Sequence, residues 1–277
     1  MVNVTLEAVE VRLGNRRIVS GISAELEAGS LIGVIGPNGA GKSTLIRALM
    51  GLLPLSGGSV RIDGQTIGKI SRQAMAQQLA YLPQGQVLHW PLTVERMVAL
   101  GRLPHLTPFS RLSDSDHAVI EQAMERADVI HLRGRDATEL SGGERARAML
   151  ARALAVGAKG LVADEPLASL DPGHQIDVME LLAQEARGGA LVVAVLHDLT
   201  MAARYCDQLL LVDKGHLVAD GAPAEVLAPA RLSDVYGIRV FIGEDKVIVP
   251  MGRAERLTQC STPSIKRPAT GSPSPGD

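Results

Sequence analysis

Residues 36–44 read Gly36-Pro37-Asn38-Gly39-Ala40-Gly41-Lys42-Ser43-Thr44. Glycines let backbone N–H groups crowd an anion with no Cβ in the way. Lys42 supplies a point charge for the β- and γ-phosphates of a nucleotide, and the Ser43 hydroxyl is placed to ligate Mg2+. The apolar run Leu31–Ile35 before the loop reads as a buried strand, and residues 44–50 after it read as a helix. A helix N-terminus adds unpaired donors and a positive dipole end. Strand, glycine-rich loop, Lys-Ser and helix together form a phosphate-cradling P-loop.

An acidic pair follows an apolar strand in Leu161-Val162-Ala163-Asp164-Glu165. Asp164 suits a carboxylate that holds Mg2+, and Glu165, one step on, suits a group that orients attacking water and takes its proton. Alone, this could be a strand ending in a solvated acidic turn; behind a P-loop the chemical reading is favoured. In Leu140-Ser141-Gly142-Gly143-Glu144, Ser141 with Glu144 three on forms a capping box for the next helix. Capping does not explain two glycines in a first turn, which suggest close approach of a ligand and a second anion site.

The elements that must position these groups alternate. Residues 4–35 read as strands, with a turn at Gly14-Asn15. Gly57-Gly58 reads as a turn, residues 60–62 as a short strand, and Leu79–Leu82 as another, stopped by Pro83-Gln84. From about 86 to 156 helices dominate: residues 94–101, residues 116–127 with Asp114 or Ser115 as N-cap, and residues 144–156. After this helical insert, strands at 161–163, 191–196 and 208–213 alternate with helices at 175–186 and 199–206, which implies a parallel sheet covered on both faces. A hairpin at Lys214-Gly215, short helices at 224–227 and 230–236, and two short strands within 241–249 follow. Residues 261–277 are rich in Ser, Thr, Pro and Gly without periodicity, so 251–277 reads as a disordered tail.

Composition sets bounds. Of 277 residues, 46% are hydrophobic but only 2% aromatic, so the core must be aliphatic. A formal net charge of −2 argues against nucleic acid held by bulk electrostatics. Cys206 and Cys260 follow no spacing motif, and a reduced, cytosolic setting is expected. No apolar run reaches membrane-span length, and residues 1–7 lack a signal core. Any work at a membrane is expected to go through a partner.

Leu140–Glu144 resembles the signature motif of ABC-type ATPases, and it lies between a P-loop and an Asp-Glu strand in that family's order; the resemblance covers roughly residues 4–250. The resemblance implies an α/β P-loop NTPase core with an N-terminal antiparallel β subdomain and an inserted helical subdomain. It implies a head-to-tail dimer in which Ser141, Gly142 and Gly143 of one chain close on ATP held by residues 36–44 of the other. It gives Gln84 a place at Mg2+ and the attacking water, His197 the part of a switch histidine at the γ-phosphate, and Asp171, in Ser169-Leu170-Asp171, a place at the dimer seam. One departure stands out. Where the family carries an aromatic residue against adenine, this chain reads Val11-Arg12-Leu13-Gly14. Apolar contact from Leu13 or stacking by Arg12 would discriminate the base less well.

The resemblance further implies a transporter motor. There is no heptad insertion as in chromosome ATPases and only one P-loop and one signature, unlike translation factors of the superfamily. Residues 85–94, with Trp90, are candidates to receive a permease helix, although Trp90 could equally be plain packing. Gly101-Arg102-Leu103-Pro104-His105 resembles the importer branch serving iron–siderophores, haem and cobalamin. The expected partners are a second copy, a dimeric polytopic permease and, through it, an extracytoplasmic binding protein, with no nucleic acid. The expected place is peripheral, on the cytoplasmic face of the inner membrane. Ferric siderophore is the first expectation for cargo, haem or cobalamin next, and a non-transport ABC-type ATPase the alternative of another class.

Overall fold

A computed structural model describes residues 1–85, 91–107, 109–168 and 170–254. The chain opens with β1 (Val4–Leu13) and β2 (Arg16–Leu26), an antiparallel hairpin. Then come β3 (Leu31–Ile35), α1 (Lys42–Leu49), β4 (Gly57–Ile62), β5 (Gln65–Thr66), α2 (Arg72–Gln78) and β6 (Leu79–Leu82). The helical insert holds α3 (Val94–Ala99), α4 (Asp114–Arg126) and α5 (Gly142–Leu154). The remainder is β7 (Gly160–Asp164), α6 (Pro172–Arg187), β8 (Leu191–Val195), α7 (Leu199–Tyr205), β9 (Gln208–Asp213), β10 (His216–Gly221), α8 (Pro223–Val226), α9 (Pro229–Tyr236), β11 (Ile238–Ile242) and β12 (Ile248–Arg253).

Two sheets organise the molecule. An antiparallel sheet runs β2-β1-β4-β5, and a six-stranded sheet runs β10-β9-β3-β8-β7-β6. In the latter every pair is parallel except the β9–β10 hairpin. The uniform apolar runs of β3 and β8 have a simple cause. Alternate residues enter different cores: Leu31 and Ile35 pack with the helical insert and α6, while Ile32 and Val34 pack toward α1 and the antiparallel sheet. Leu191, Val193 and Val195 likewise face one core, and Val192 and Ala194 the other. A strand wet on neither face needs no polar alternation.

Several boundaries differ from the sequence expectation. The α4 cap is Ser113, whose hydroxyl accepts from Asp116 N while Asp116 Oδ2 accepts from Ser113 N; neither Asp114 nor Ser115 fills that place. Gly57 and Gly58 belong to β4 rather than to a turn, because β1 bulges opposite them. A Cβ on Gly58 would lie 2.2 Å from the Ala8 carbonyl oxygen. The periodicity gives no sign of α2, capped by Ser71, because Met75 is its one fully buried residue. β12 runs to Arg253, past the expected boundary at 250. The tail from 255 and the Trp90 stretch from 86 lie outside the described residues.

Candidate active site

The loop between β3 and α1 is shaped by what stands behind it. Gly36 has φ +148°, and a Cβ there would fall 1.9 Å from the Val212 carbonyl oxygen on β9. Gly41 has φ +104°, with the Ile18 carbonyl oxygen 2.9 Å from a would-be Cβ. These approaches admit no side chain, so glycine is required by geometry as well as by conformation. The β9–β10 turn pins the loop from behind, with Gly215 N donating to Ala40 O at 2.8 Å. α1 starts at Lys42 with Gly41 as N-cap and no side-chain cap, which leaves its first-turn N–H groups for an anion. Asn38 and Gly39 are exposed at the loop tip, and Pro37, Ser43 and Thr44 are half-buried.

Lys42 is buried, and its Nζ donates to the carbonyls of Gly36 (2.8 Å) and Pro37 (3.0 Å). Burial lowers its pKa, opposed by the negative charges of Glu165 and Asp164. Asp164 closes β7 at 1% exposure. Its Oδ1 accepts from Ser43 Oγ at 3.0 Å, and its Oδ2 has Arg47 at 3.7 Å and the Tyr81 hydroxyl at 3.5 Å. Burial raises its pKa, against the opposing hydrogen bond from Ser43 and the charge of Arg47. Arg47 and Tyr81 were not singled out from the sequence. Arg47 stands four residues beyond Ser43, one turn along the same face of α1, which is a spacing that reading could have used.

Glu165 follows in a left-handed conformation, φ +55°, rare for a residue with a side chain. Its carboxylate is clasped from two sides. Gln84 Nε2 donates to Oε2 at 2.5 Å, and His197 Nε2 stands 2.7 Å from Oε1. The contact assigns the ring hydrogen to Nε2. Gln84 follows β6, Glu165 follows β7 and His197 follows β8, so neighbouring strands of one parallel sheet deliver all three at their carboxyl ends. The three expected catalytic side chains are thus brought together beside Asp164.

A hydroxyl and a carboxylate in contact are hard oxygen donors of the kind Mg2+ takes, alongside water and phosphate. Among the described residues no group of three or more His, Cys, Asp or Glu could hold a metal. Ser43 and Asp164 therefore fit a magnesium ion completed by phosphate oxygens and water, and do not form a protein-only cage.

The signature segment opens α5 in the helical insert. Ser141 caps α5 with its capping box complete: Ser141 N donates to Glu144 Oε2 at 2.8 Å, and Glu144 N to Ser141 Oγ at 3.3 Å. Ser141 and Gly142 are exposed, whereas Gly143 is buried. The need for Gly143 is partly internal, which corrects the expectation that only a ligand explains the glycine pair. A Cβ on Gly143 would lie 2.1 Å from Cδ2 of His174. Gly142 and Glu165 of the same chain line one cleft of about 300 Å3 between α5 and the core. Asp171 caps α6, its Oδ1 accepting from His174 N at 3.1 Å. Ser169 lies outside the described residues.

The family model described as "ABC transporter" matches residues 19–168, which takes in the loop at 36–44, the signature and the Asp164-Glu165 pair. The chain belongs to the ABC transporter ATPase family. It is 43% identical over 242 residues to the hemin import ATP-binding protein HmuV of Pseudomonas entomophila, covering 86% of this chain and 93% of that one. It is 43% identical over 238 residues to the cobalamin import ATP-binding protein BtuD of Halobacterium salinarum, covering 86% of this chain; it spans 59% of that relative's length. Among solved structures, this ABC ATPase resembles a metal-chelate type ABC transporter in an inward-facing conformation. The TM-score is 0.79 at 25% identity, over 91% of this chain and 98% of the other. An ATP-binding cassette in its ADP conformation matches with TM-score 0.77 at 25% identity, over 85% and 98%. These likenesses support the expected α/β P-loop NTPase fold. Among the described residues of this ABC ATPase, no helix is long and apolar enough to cross a membrane.

Proposed function

We propose that the chain is the ATP-hydrolysing subunit of an importer for a metal chelate, working as a head-to-tail dimer on a dimeric membrane permease. The observation that carries the importer reading is 43% identity, over most of both chains, to a protein named for hemin import. The cobalamin relative and the metal-chelate structure point to the same class of cargo. Haem therefore moves ahead of ferric siderophore, with cobalamin beside it. The place is peripheral, at the cytoplasmic face of the inner membrane, with an extracytoplasmic binding protein delivering cargo to the permease.

The chemistry follows from the side chains. The loop's N–H groups and Lys42 bind the phosphates, and Lys42 neutralises charge that develops on the γ-phosphoryl group. Ser43 and Asp164, with Gln84 beside them, would hold Mg2+, which would supply further charge neutralisation. Glu165 orients a water in line with the γ-phosphorus and accepts its proton as the new P–O bond forms and the bond to the β-bridging oxygen breaks. Before nucleotide binds, Gln84 and His197 hold this carboxylate between them. His197 Nε2–H is then available to a γ-phosphate oxygen once nucleotide draws the carboxylate toward water. Ser141, Gly142 and Gly143 of the second copy complete the site. Closure of the dimer switches the permease, and hydrolysis reopens it.

The reading is tested by cargo uptake in cells whose own haem-, cobalamin- and siderophore-import ATPases are deleted, supplied with this chain and its neighbouring permease. Haem uptake that disappears with Glu165→Gln is expected. Uptake of none of the three, with ATPase activity intact, would contradict the importer assignment.

A further inference from the structure

His174 ties the first turn of α5 to the start of α6. Its ring sits in the notch that Gly143 leaves open. Arg147, one turn further along α5, donates from Nη1 to His174 Nδ1 at 3.1 Å and lies 3.5 Å from Asp177 Oδ2. Arg147 offers only donors to Nδ1 and Asp177 only acceptors; the shorter contact, from Arg147, assigns the ring hydrogen to Nε2. That face looks toward Asp171 Oδ2, 3.7 Å away. Asp177 Oδ2 lies 3.3 Å from Nδ1 and accepts from Arg147 Nη1 at 3.5 Å. Arg147 is mostly buried, at 15% side-chain exposure, so this contact is held in place by its surroundings.

We propose that His174 is a positioning residue that locks the Ser141-Gly142-Gly143 turn to the Asp171 loop, so that both present one rigid face to the nucleotide of the second copy. The proposal rests on the dimeric reading above. Both segments belong to that seam, yet they come from different subdomains, and a seam assembled from two independently moving parts would lose orientation and with it turnover. The ring and Arg147 join the two parts without touching this chain's own phosphate loop. His174 therefore acts on turnover and leaves nucleotide capture alone.

The test is steady-state ATP turnover of the full chain with its permease, beside the affinity of the chain for a fluorescent ATP analogue. Turnover by the unaltered chain, abolished by Lys42→Ala, is read first; its absence overturns the ATPase reading and this proposal together. His174→Ala is expected to lower kcat about tenfold while nucleotide affinity moves less than about twofold. His174→Asn, whose Oδ1 replaces Nδ1 as acceptor, restores most of kcat. Arg147→Gln reproduces the loss from the α5 side, and keeps the test open should His174→Ala fail to fold. The double variant is no worse than either single one. Unchanged kcat, a matched loss of affinity, no restoration by Asn, or multiplying losses would each overturn the proposal while leaving the ATPase reading in place.

Discussion

Lys42 and Asp164 lie under the phosphate loop with their charged forms penalised: burial lowers the pKa of the lysine and raises that of the carboxyl. In the helical subdomain the balance is reversed. Asp116 accepts hydrogen bonds from Ser113 and Arg102, Glu144 accepts from Ser141, and both carboxyl groups are held below their ordinary range. The first pair is folded at a disadvantage that phosphate and metal would relieve. The second is satisfied within its own subdomain, where Arg102 also donates to the Ala155 and Val156 carbonyls at the end of α5. Lys42 and Asp164 are thus left for a ligand to satisfy, whereas Asp116 and Glu144 are satisfied by the scaffold itself.

A large effect on turnover is expected at Glu165, the proposed base, which lies between Gln84 and His197. Glu165→Gln is expected to reduce turnover by about 10^2- to 10^4-fold with ATP binding retained. Near-normal turnover would remove Glu165 from that role. Asp164→Asn sharpens the contrast in the other direction. It should abolish Mg2+-dependent turnover yet raise the thermal midpoint of the nucleotide-free chain, because an uncharged isostere takes away a buried charge. The gain over the unaltered protein should shrink as pH falls and the raised Asp164 carboxyl becomes neutral; a midpoint lowered at neutral pH would contradict the assignment.

Asp116→Asn is expected to do the opposite and lower the midpoint. The depressed Asp116 pKa gives stability that is present above its ordinary value of about 4 and lost as pH falls below it. The variant's deficit, followed by thermal melts, should therefore be full at neutral pH and fade in acid. A deficit independent of pH would detach it from the carboxylate. The smallest effect concerns the base. Leu13 is 47% exposed, and an aliphatic wall offers no hydrogen-bond readout. ATP and GTP should differ by less than about tenfold in kcat/KM, and a large ATP preference would show another wall for adenine.

The legible parts of the molecule were those whose chemistry is local in sequence. The loop at 36–44, the Asp164-Glu165 step and the Ser141–Glu144 box each declare themselves through adjacent residues, and the structure brings Gln84, Glu165 and His197 together. Tyr81 carries no local signal, because its importance comes from Asp164 across the fold, and Arg47 shows only its helical spacing from Ser43. The short helix α2 was missed because one buried Met75 makes no period. The internal reason for Gly143 was out of reach for the same cause: nothing within α5 announces that His174 of α6 fills its missing Cβ.

The central claim is that residues 36–44 form half a site. Dimers combining Lys42→Ala and Ser141→Arg test it most directly, with occluded ATP counted per dimer. With one lesion in each chain, head-to-tail pairing puts both faults in the same site and leaves the other intact, so one ATP is retained. With both lesions in one chain opposite an unaltered partner, each site is broken and none is retained. The reverse pattern would mean that each chain completes its own site, and would contradict the account.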